Sequence, residues 1–254
     1  MNDRRNVRIL CALLVCGLLC ACASKSRHDE LPTGQGESPA DLYVAMSAEY
    51  YKRGQMDAAL KRAVHALDED DDNARAHYMI AIIYQRLGKM ELADKHFRTA
   101  VEIDPSDPEI RNAWGTFFCN QRKTAEAEQQ FSAALKNPLY KTPWVTLTNA
   151  GVCALRANKR AKAEENFRRA LTANPGFGPA LYQMAEMDYN MSRYTTARTF
   201  LDRYFQSAPA TPAALWLGVR IERKLGNSKR ADSYAELLRK RYPDAPEVIN
   251  LNDS

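Results

Sequence analysis

The sequence predicts an all-α protein, a right-handed superhelical α-solenoid built from six stacked helical hairpins. Alanine recurs at steps of 34, 34, 36, 34 and 34 residues, at Ala59, Ala93, Ala127, Ala163, Ala197 and Ala231. Phenylalanine follows three of these alanines by four residues, and proline follows four of them by twelve. A small side chain at a fixed interval is typical of the point where two antiparallel helices cross closely.

A period of 34 residues is the length of a tetratricopeptide repeat, in which each unit is a helix, a turn and a second helix. The six predicted repeats together cover residues 40–245. Their ranges are 40–73, 74–107, 108–141, 144–177, 178–211 and 212–245.

The turn inside each repeat requires a residue with positive φ, which glycine adopts without steric cost. Glycine occupies this turn in three repeats, as Gly54, Gly88 and Gly226. Arg122, Asn158 and Ser192 replace it in the other three, where we expect slightly looser turns.

The step of 36 residues places a two-residue insertion within residues 137–144, which also contain two prolines. We expect a longer loop there and a local change of superhelical direction. The last repeat helix, roughly residues 228–242, is rich in charged side chains and is predicted to cap the stack. Residues 246–254 are predicted to be a C-terminal tail.

Residues 1–21 are predicted to be a lipoprotein signal peptide, because arginines precede an apolar run at residues 9–19 that is too short to span a bilayer. The sequence ending at Cys22 resembles the lipobox of bacterial lipoproteins, which implies that this cysteine is acylated. Cys20 is a competing acceptor, but the bulky Leu19 precedes it. An ordinary signal peptide is the other interpretation.

Residues 22–39 are polar, contain glycine and proline, and are predicted to form a lipidated flexible tether. Each buried acyl CH₂ contributes about 0.8 kcal/mol, so the chains would anchor the protein. Ala23 follows the acylated position, and resemblance to enterobacterial sorting rules implies the periplasmic face of the outer membrane.

Composition and motifs argue against several classes of function. The chain has 36 basic and 31 acidic residues and a net charge of +5, too balanced to indicate nucleic-acid binding. No catalytic, phosphate-binding or metal-ligating pattern is present, so we predict a protein that is not an enzyme and has no cofactor, metal or small-molecule substrate. The acidic residues 68–72 do not fit a calcium loop, because Asn73 replaces the required glycine and Met79 the required glutamate. They are interpreted as a solvated turn or as a contact for a basic partner.

Two cysteines, Cys119 and Cys153, fall in the first helices of the third and fourth repeats. First helices of successive repeats stack side by side, and the periplasm is oxidising, so we predict a disulfide. It would close a loop of about 35 residues and stabilise the fold by about 3 kcal/mol. Two buried free thiols are the alternative.

A partner-binding groove is predicted on the concave face, which is lined by the first helices. Its residues are Val44, Tyr51, Tyr78, Ile82, Gln85, Tyr182, Tyr189 and Trp216. This apolar and aromatic surface suits an amphipathic helix or an extended segment of another protein. The alternative is that the tyrosines pack between adjacent helices. A co-chaperone-type clamp for a peptide carboxylate is not predicted, because no suitable Lys and Asn set is present.

Three motifs are more specific than the repeat pattern: Asn112-Ala-Trp-Gly115-Thr-Phe-Phe-Cys119, Asn137-Pro-Leu-Tyr140 and Asn149-Ala-Gly151-Val-Cys153. Together with the lipobox and six repeats, they resemble the type IV pilus biogenesis lipoproteins of the PilF/PilW family, whose pattern places both cysteines at these positions. The resemblance implies an outer-membrane pilotin that binds type IV pilus secretin subunits and promotes their localisation and multimer assembly. We expect the protein itself to be monomeric. The alternative is an envelope scaffold that organises cell-wall enzymes or outer-membrane protein assembly. An enzyme with dispersed active-site residues is a third, less favoured interpretation.

Overall fold

The computed structural model describes residues 38–252, which contain thirteen α-helices and no β-strand. The predicted signal peptide, the lipidation site Cys22 and nearly all of the tether lie outside the described residues. The helices are α1 Pro39–Lys52, α2 Met56–Glu69, α3 Ala74–Arg86, α4 Met90–Ile103, α5 Pro108–Asn120, α6 Thr124–Ala134, α7 Pro143–Arg156, α8 Arg160–Ala173, α9 Gly178–Asn190, α10 Tyr194–Ser207, α11 Pro212–Lys224, α12 Ser228–Arg241 and α13 Pro246–Asn252.

Helices α1 to α12 form six hairpins arranged in two layers. Each odd-numbered helix from α1 to α9 packs against the next odd-numbered helix, so these first helices form a continuous inner layer. Each second helix packs against the first helix of its own hairpin and against that of the next one. Successive second helices touch through side chains, as Lys162 of α8 does with Glu128 of α6 at 2.6 Å. This arrangement confirms the predicted α-solenoid, a fold whose stacked repeats form a concave binding surface.

Local sequence explains where the first helices begin. Ser38 caps α1 in a capping box with Asp41, and Asn73 and Thr211 accept hydrogen bonds from backbone N–H groups at the starts of α3 and α11. Asp107 caps α5 in the same way. Proline in the first turn of α1, α5, α7, α9 and α11 supplies a favourable φ at a position that needs no N–H.

The repeated alanines lie at the helix crossings and are almost completely buried, with exposures of 0 to 2%. Two inner-layer glycines allow an equally close approach by aromatic rings. A Cβ atom on Gly115 would lie 2.7 Å from the ring of Phe131, and one on Gly151 would overlap the ring of Phe167. The helix spacing therefore depends on residues too small to separate the two layers.

All six turns within the hairpins use a residue with positive φ. The glycine turns have φ of 71° to 75°, and Arg122, Asn158 and Ser192 have φ of 59° to 62°. The expectation that these three turns are looser is wrong, because the Arg122 N–H donates to the Cys119 carbonyl at 3.0 Å, as Gly54 does to Tyr51. Packing of both helices outweighs the cost of about 1–2 kcal/mol for a non-glycine residue in this conformation.

The connection between α6 and α7 covers residues 135–142 and is twice as long as the other connections between repeats, as the insertion predicts. The predicted tail forms α13 instead. Leu251 of α13 is buried in a cluster with Leu215, Val219, Ala235 and Leu238, so this helix covers the end of the stack. No helix among the described residues is long and apolar enough to cross a membrane.

Candidate protein-binding groove

The predicted groove residues lie on the first helices α1, α3, α9 and α11, which belong to the inner layer. All eight are half-buried, and none is among the strongly exposed apolar residues. Part of each side chain therefore packs between helices, and only the remainder is available to a partner.

At the N-terminal end of the groove, Val44, Tyr51, Tyr78 and Ile82 pack on one apolar cluster with Ile80 and Ile83 at its centre. The ring of Tyr78 also lies 6.4 Å from that of Phe97. Burial raises the pKa of Tyr78, and the nearby carboxylate of Glu109 raises it further, so the phenol remains neutral. Gln85 is half-buried one turn further along α3.

Arg75 is the cation beside Tyr78, and it forms ion pairs within the protein. Arg75 contacts Asp107 and Glu109 through separate guanidinium nitrogens, at 2.8 Å each. Asp107 is buried, and its other oxygen caps α5, so the guanidinium also holds the start of that helix. This end therefore offers mainly apolar and aromatic surface to a partner.

In the middle of the groove, α5 and α7 are joined by polar side chains and by a covalent bond. The Asn149 amide donates to the Asn112 carbonyl oxygen at 3.0 Å, and Arg156 donates to Asn120 at 2.7 Å. Cys119 and Cys153 are joined in a disulfide, with their Cα atoms 5.6 Å apart and both side chains buried. The disulfide joins the two repeats that the long connection also links, but near the C-terminal end of α7 and not at its start.

At the C-terminal end, Tyr182 donates to Glu186 at 3.3 Å. Burial, with a further contribution from Glu186, raises the pKa of Tyr182 to about 12. The Arg220 guanidinium lies 4.7 Å from the ring centroid of Tyr189 and 5.8 Å from that of Trp216. A half-buried cation held by two aromatic rings distinguishes this end from the N-terminal end.

The structure contains a histidine pair outside the groove that the sequence analysis does not predict. His77 of α3 and His96 of α4 approach through their Nδ1 atoms at 2.9 Å. Burial and the neighbouring His77 lower the pKa of His96 to about 4. The repeat register could have identified this pair. Arg111 and Gln130 have the same spacing of 19 residues in the next repeat, and they form a hydrogen bond of 2.9 Å between α5 and α6. No group of three or more potential metal ligands occurs within residues 38–252.

Two buried carboxylates in the last repeats also gave no clear sequence signal. Glu222 of α11 is 1% exposed and contacts Arg198 of α10 at 2.6 Å and Arg230 of α12 at 3.5 Å. Asp188 of α9 is 2% exposed and contacts Arg193 at 3.0 Å. The Glu222 pairs connect three helices, whereas the Asp188 pair joins α9 to the turn that follows it.

This architecture defines a tetratricopeptide-repeat protein, and a family model described as tetratricopeptide repeat matches residues 50–116. The chain is 28% identical to the type IV pilus assembly protein PilF of Pseudomonas aeruginosa, over 95% of this chain and 96% of the relative. The crystal structure of PilW, described as a widely conserved type IV pilus biogenesis factor, superposes with a TM-score of 0.75 at 28% identity and covers 85% of this chain and 99% of PilW. A structure of P. aeruginosa PilF gives a TM-score of 0.74 at 27% identity, covering 85% and 97% of the two chains. The chain is therefore a tetratricopeptide-repeat protein that is similar to PilF and PilW along nearly its whole length.

Proposed function

We propose that this protein acts in type IV pilus biogenesis as a lipid-anchored pilotin. In this proposal Cys22 carries the acyl chains, the outer membrane is the destination, and the groove binds secretin subunits and promotes their assembly into multimers. The observation that supports it most is similarity along the whole array to PilF and PilW, with nearly the full length of both relatives covered.

The groove supplies a physical basis for holding another polypeptide. Its N-terminal end combines the half-buried Tyr51, Tyr78 and Ile82, and burying the remainder of these side chains against a partner is favourable by about 25 cal/mol per Å² of apolar surface. No helix of the described residues could cross a membrane, so in this proposal the acylated cysteine provides the attachment.

Deletion of the gene tests the proposal. We expect secretin subunits to remain monomeric and away from the outer membrane, as measured by membrane fractionation and immunoblotting. Secretin multimers that still assemble in the outer membrane would contradict the proposal and favour the envelope-scaffold alternative.

Complementation with variants separates the anchor from the groove. Cys22→Ala removes the acyl acceptor, so we expect no palmitate incorporation and a protein that captures secretin but leaves it misplaced. The double variant Tyr51→Glu, Ile82→Glu places charge on the groove and should lower secretin capture by more than about tenfold. Tyr78 is retained because its ring packs on Phe97.

A matched control makes the same change on the outer layer. Val64 of α2 is 44% exposed, so Val64→Glu should leave both capture and helical content unchanged. Circular dichroism shows whether each variant is folded. Normal capture by a folded Tyr51→Glu, Ile82→Glu variant would refute the placement of the secretin site at the N-terminal end.

A further inference from the structure

Arg220 is a half-buried cation without a counter-ion. Its Nε atom is buried and has no hydrogen-bond partner, and no ion pair within residues 38–252 includes its guanidinium. Its close contacts are the rings of Tyr189 and Trp216. A buried donor without a partner is unfavourable, so the position of this side chain requires an explanation.

Two other arginines of the first and second halves are paired with carboxylates. Arg75 binds Asp107 and Glu109, and Arg198 binds Glu222 through two nitrogens, at 2.9 and 2.6 Å. The other buried unpartnered side-chain atom among the described residues, Oδ2 of Asp188, belongs to a carboxylate whose Oδ1 contacts Arg193. Its charge is therefore balanced, whereas that of Arg220 is not.

We propose that Arg220, Tyr189 and Trp216 form a carboxylate-binding site that accepts an aspartate or glutamate side chain from an extended segment of a protein partner. The two rings restrict the guanidinium, which reduces the entropy lost when its N–H groups bind a carboxylate. The ring of Trp216 and the stem of Arg220 provide apolar surface for the ligand backbone on either side. The inference rests on the proposed function only in requiring that the groove bind a polypeptide.

The surrounding charges define the chemistry of the ligand. Glu186 and Glu247 are close enough to Tyr182 to raise its pKa, and Arg220 acts on the same phenol in the opposite direction. These two acidic groups would repel a dianionic phosphate more strongly than a carboxylate of single charge. A single guanidinium held by two rings suits one acidic side chain.

Peptide selection tests the site. The mature lipidated chain in lipid nanodiscs is presented with random 12-residue peptides displayed as a loop on a carrier, so that no peptide has a free end. We expect aspartate or glutamate to be enriched at one position on the wild-type protein and on the control Arg239→Gln, which changes an exposed arginine of α12. On Arg220→Gln the enrichment should disappear.

A double-mutant cycle on a selected peptide isolates the contact. Arg220→Gln should weaken peptide binding about tenfold. Changing the peptide's acidic residue to its amide should weaken binding to the wild-type protein by the same factor but should not weaken binding to the Arg220→Gln variant any further. Arg220→Lys keeps the charge but loses the planar fork, so it should give an intermediate loss. Circular dichroism and the thermal midpoint verify that each variant is folded.

Peptides that bind equally with the acid or its amide would overturn the inference while leaving a polypeptide-binding groove in place. If acidic peptides are enriched only from a parallel library whose peptides have free C-termini, the site binds a terminal carboxylate, and the inference of an internal acidic side chain is overturned. No enrichment on any variant would contradict the inference. Acid-dependent binding without any secretin capture would instead contradict only the proposed function.

Discussion

The two halves of the array, α1–α6 and α7–α12, share one backbone pattern but connect their helices with different polar chemistry. In the first half, the two helices of a hairpin are linked by a histidine pair and by the hydrogen bond from Arg111 to Gln130, while the buried Asp107 at the start of α5 pairs with Arg75 of the preceding hairpin. In the second half, the buried Glu222 binds arginines of the neighbouring helices α10 and α12, and the buried Asp188 binds Arg193 in the turn after α9. The small residues at the helix crossings therefore set the architecture, while the polar contacts around them can differ.

Removing the disulfide, which cross-links the two halves, should have the largest effect on stability. The bond closes a separation of 34 residues between α5 and α7, so the double variant Cys119→Ala, Cys153→Ala should lower the free energy of unfolding by about 3 kcal/mol. Urea denaturation measures this difference. Hydrogen exchange should increase most in α5 to α7, and a uniform increase along the chain would contradict this placement.

Glu222→Gln removes the charge that links three helices of the second half. Arg198 and Arg230 then lack their buried partner but remain partly exposed to water, so we expect a loss of about 2 kcal/mol, less than for a fully enclosed pair. Glu236→Gln on the exposed face of α12 is the matched control and should change stability by less than about 0.5 kcal/mol. Faster hydrogen exchange in α1 to α4 than in α10 to α12 would argue against a local effect.

The histidine pair predicts a pH response specific to the first half. Because the pKa of His96 falls from 6.5 to about 4 on folding, the unfolded chain binds more protons between these values, and stability decreases as pH falls through this window. Half-exposure limits the effect to about 1 kcal/mol. His96→Gln reproduces the side chain found at Gln130, so its loss of stability between pH 7 and pH 4.5 should be smaller than that of the wild type. Equal pH profiles for the two proteins would contradict this assignment.

Turn substitutions give the smallest expected effect. Arg122 has φ of 62°, so Arg122→Gly should stabilise the third hairpin by about 0.5 kcal/mol after the greater flexibility of glycine in the unfolded chain is counted. Asn158→Gly should gain less, because asparagine tolerates positive φ better than arginine. Thermal unfolding of the two variants side by side tests this order, and destabilisation by Arg122→Gly would show that its side chain stabilises the turn.

Sequence alone could predict most of the fold, because the same residue pattern recurs in six repeats. The alanine register located the hairpins, and the turn residues indicated the positive φ values found at Arg122 and Ser192. Residues 246–252 could not be assigned in this way, since α13 occurs once and its only periodic apolar residues are Val248 and Leu251.

The site was less predictable than the fold. Groove positions could be assigned by register, but their half-buried state depends on neighbours contributed by the next repeat, as Tyr78 shows by packing on Phe97. Whether a charged residue is paired is equally non-local. Arg75 and Arg220 look alike in the sequence, yet only Arg75 meets carboxylates, which lie more than 30 residues away in the chain.

Helix α13 has a consequence for assembly. In a stack of similar hairpins, the exposed face of the last hairpin is complementary to the exposed face of the first. Without a cap, such copies can join head to tail into a fibre. By burying Leu251 against Leu215 and Leu238, α13 gives the last hairpin an outer face unlike any other in the array. The seven-residue helix thus acts as a terminator that favours discrete particles over polymers.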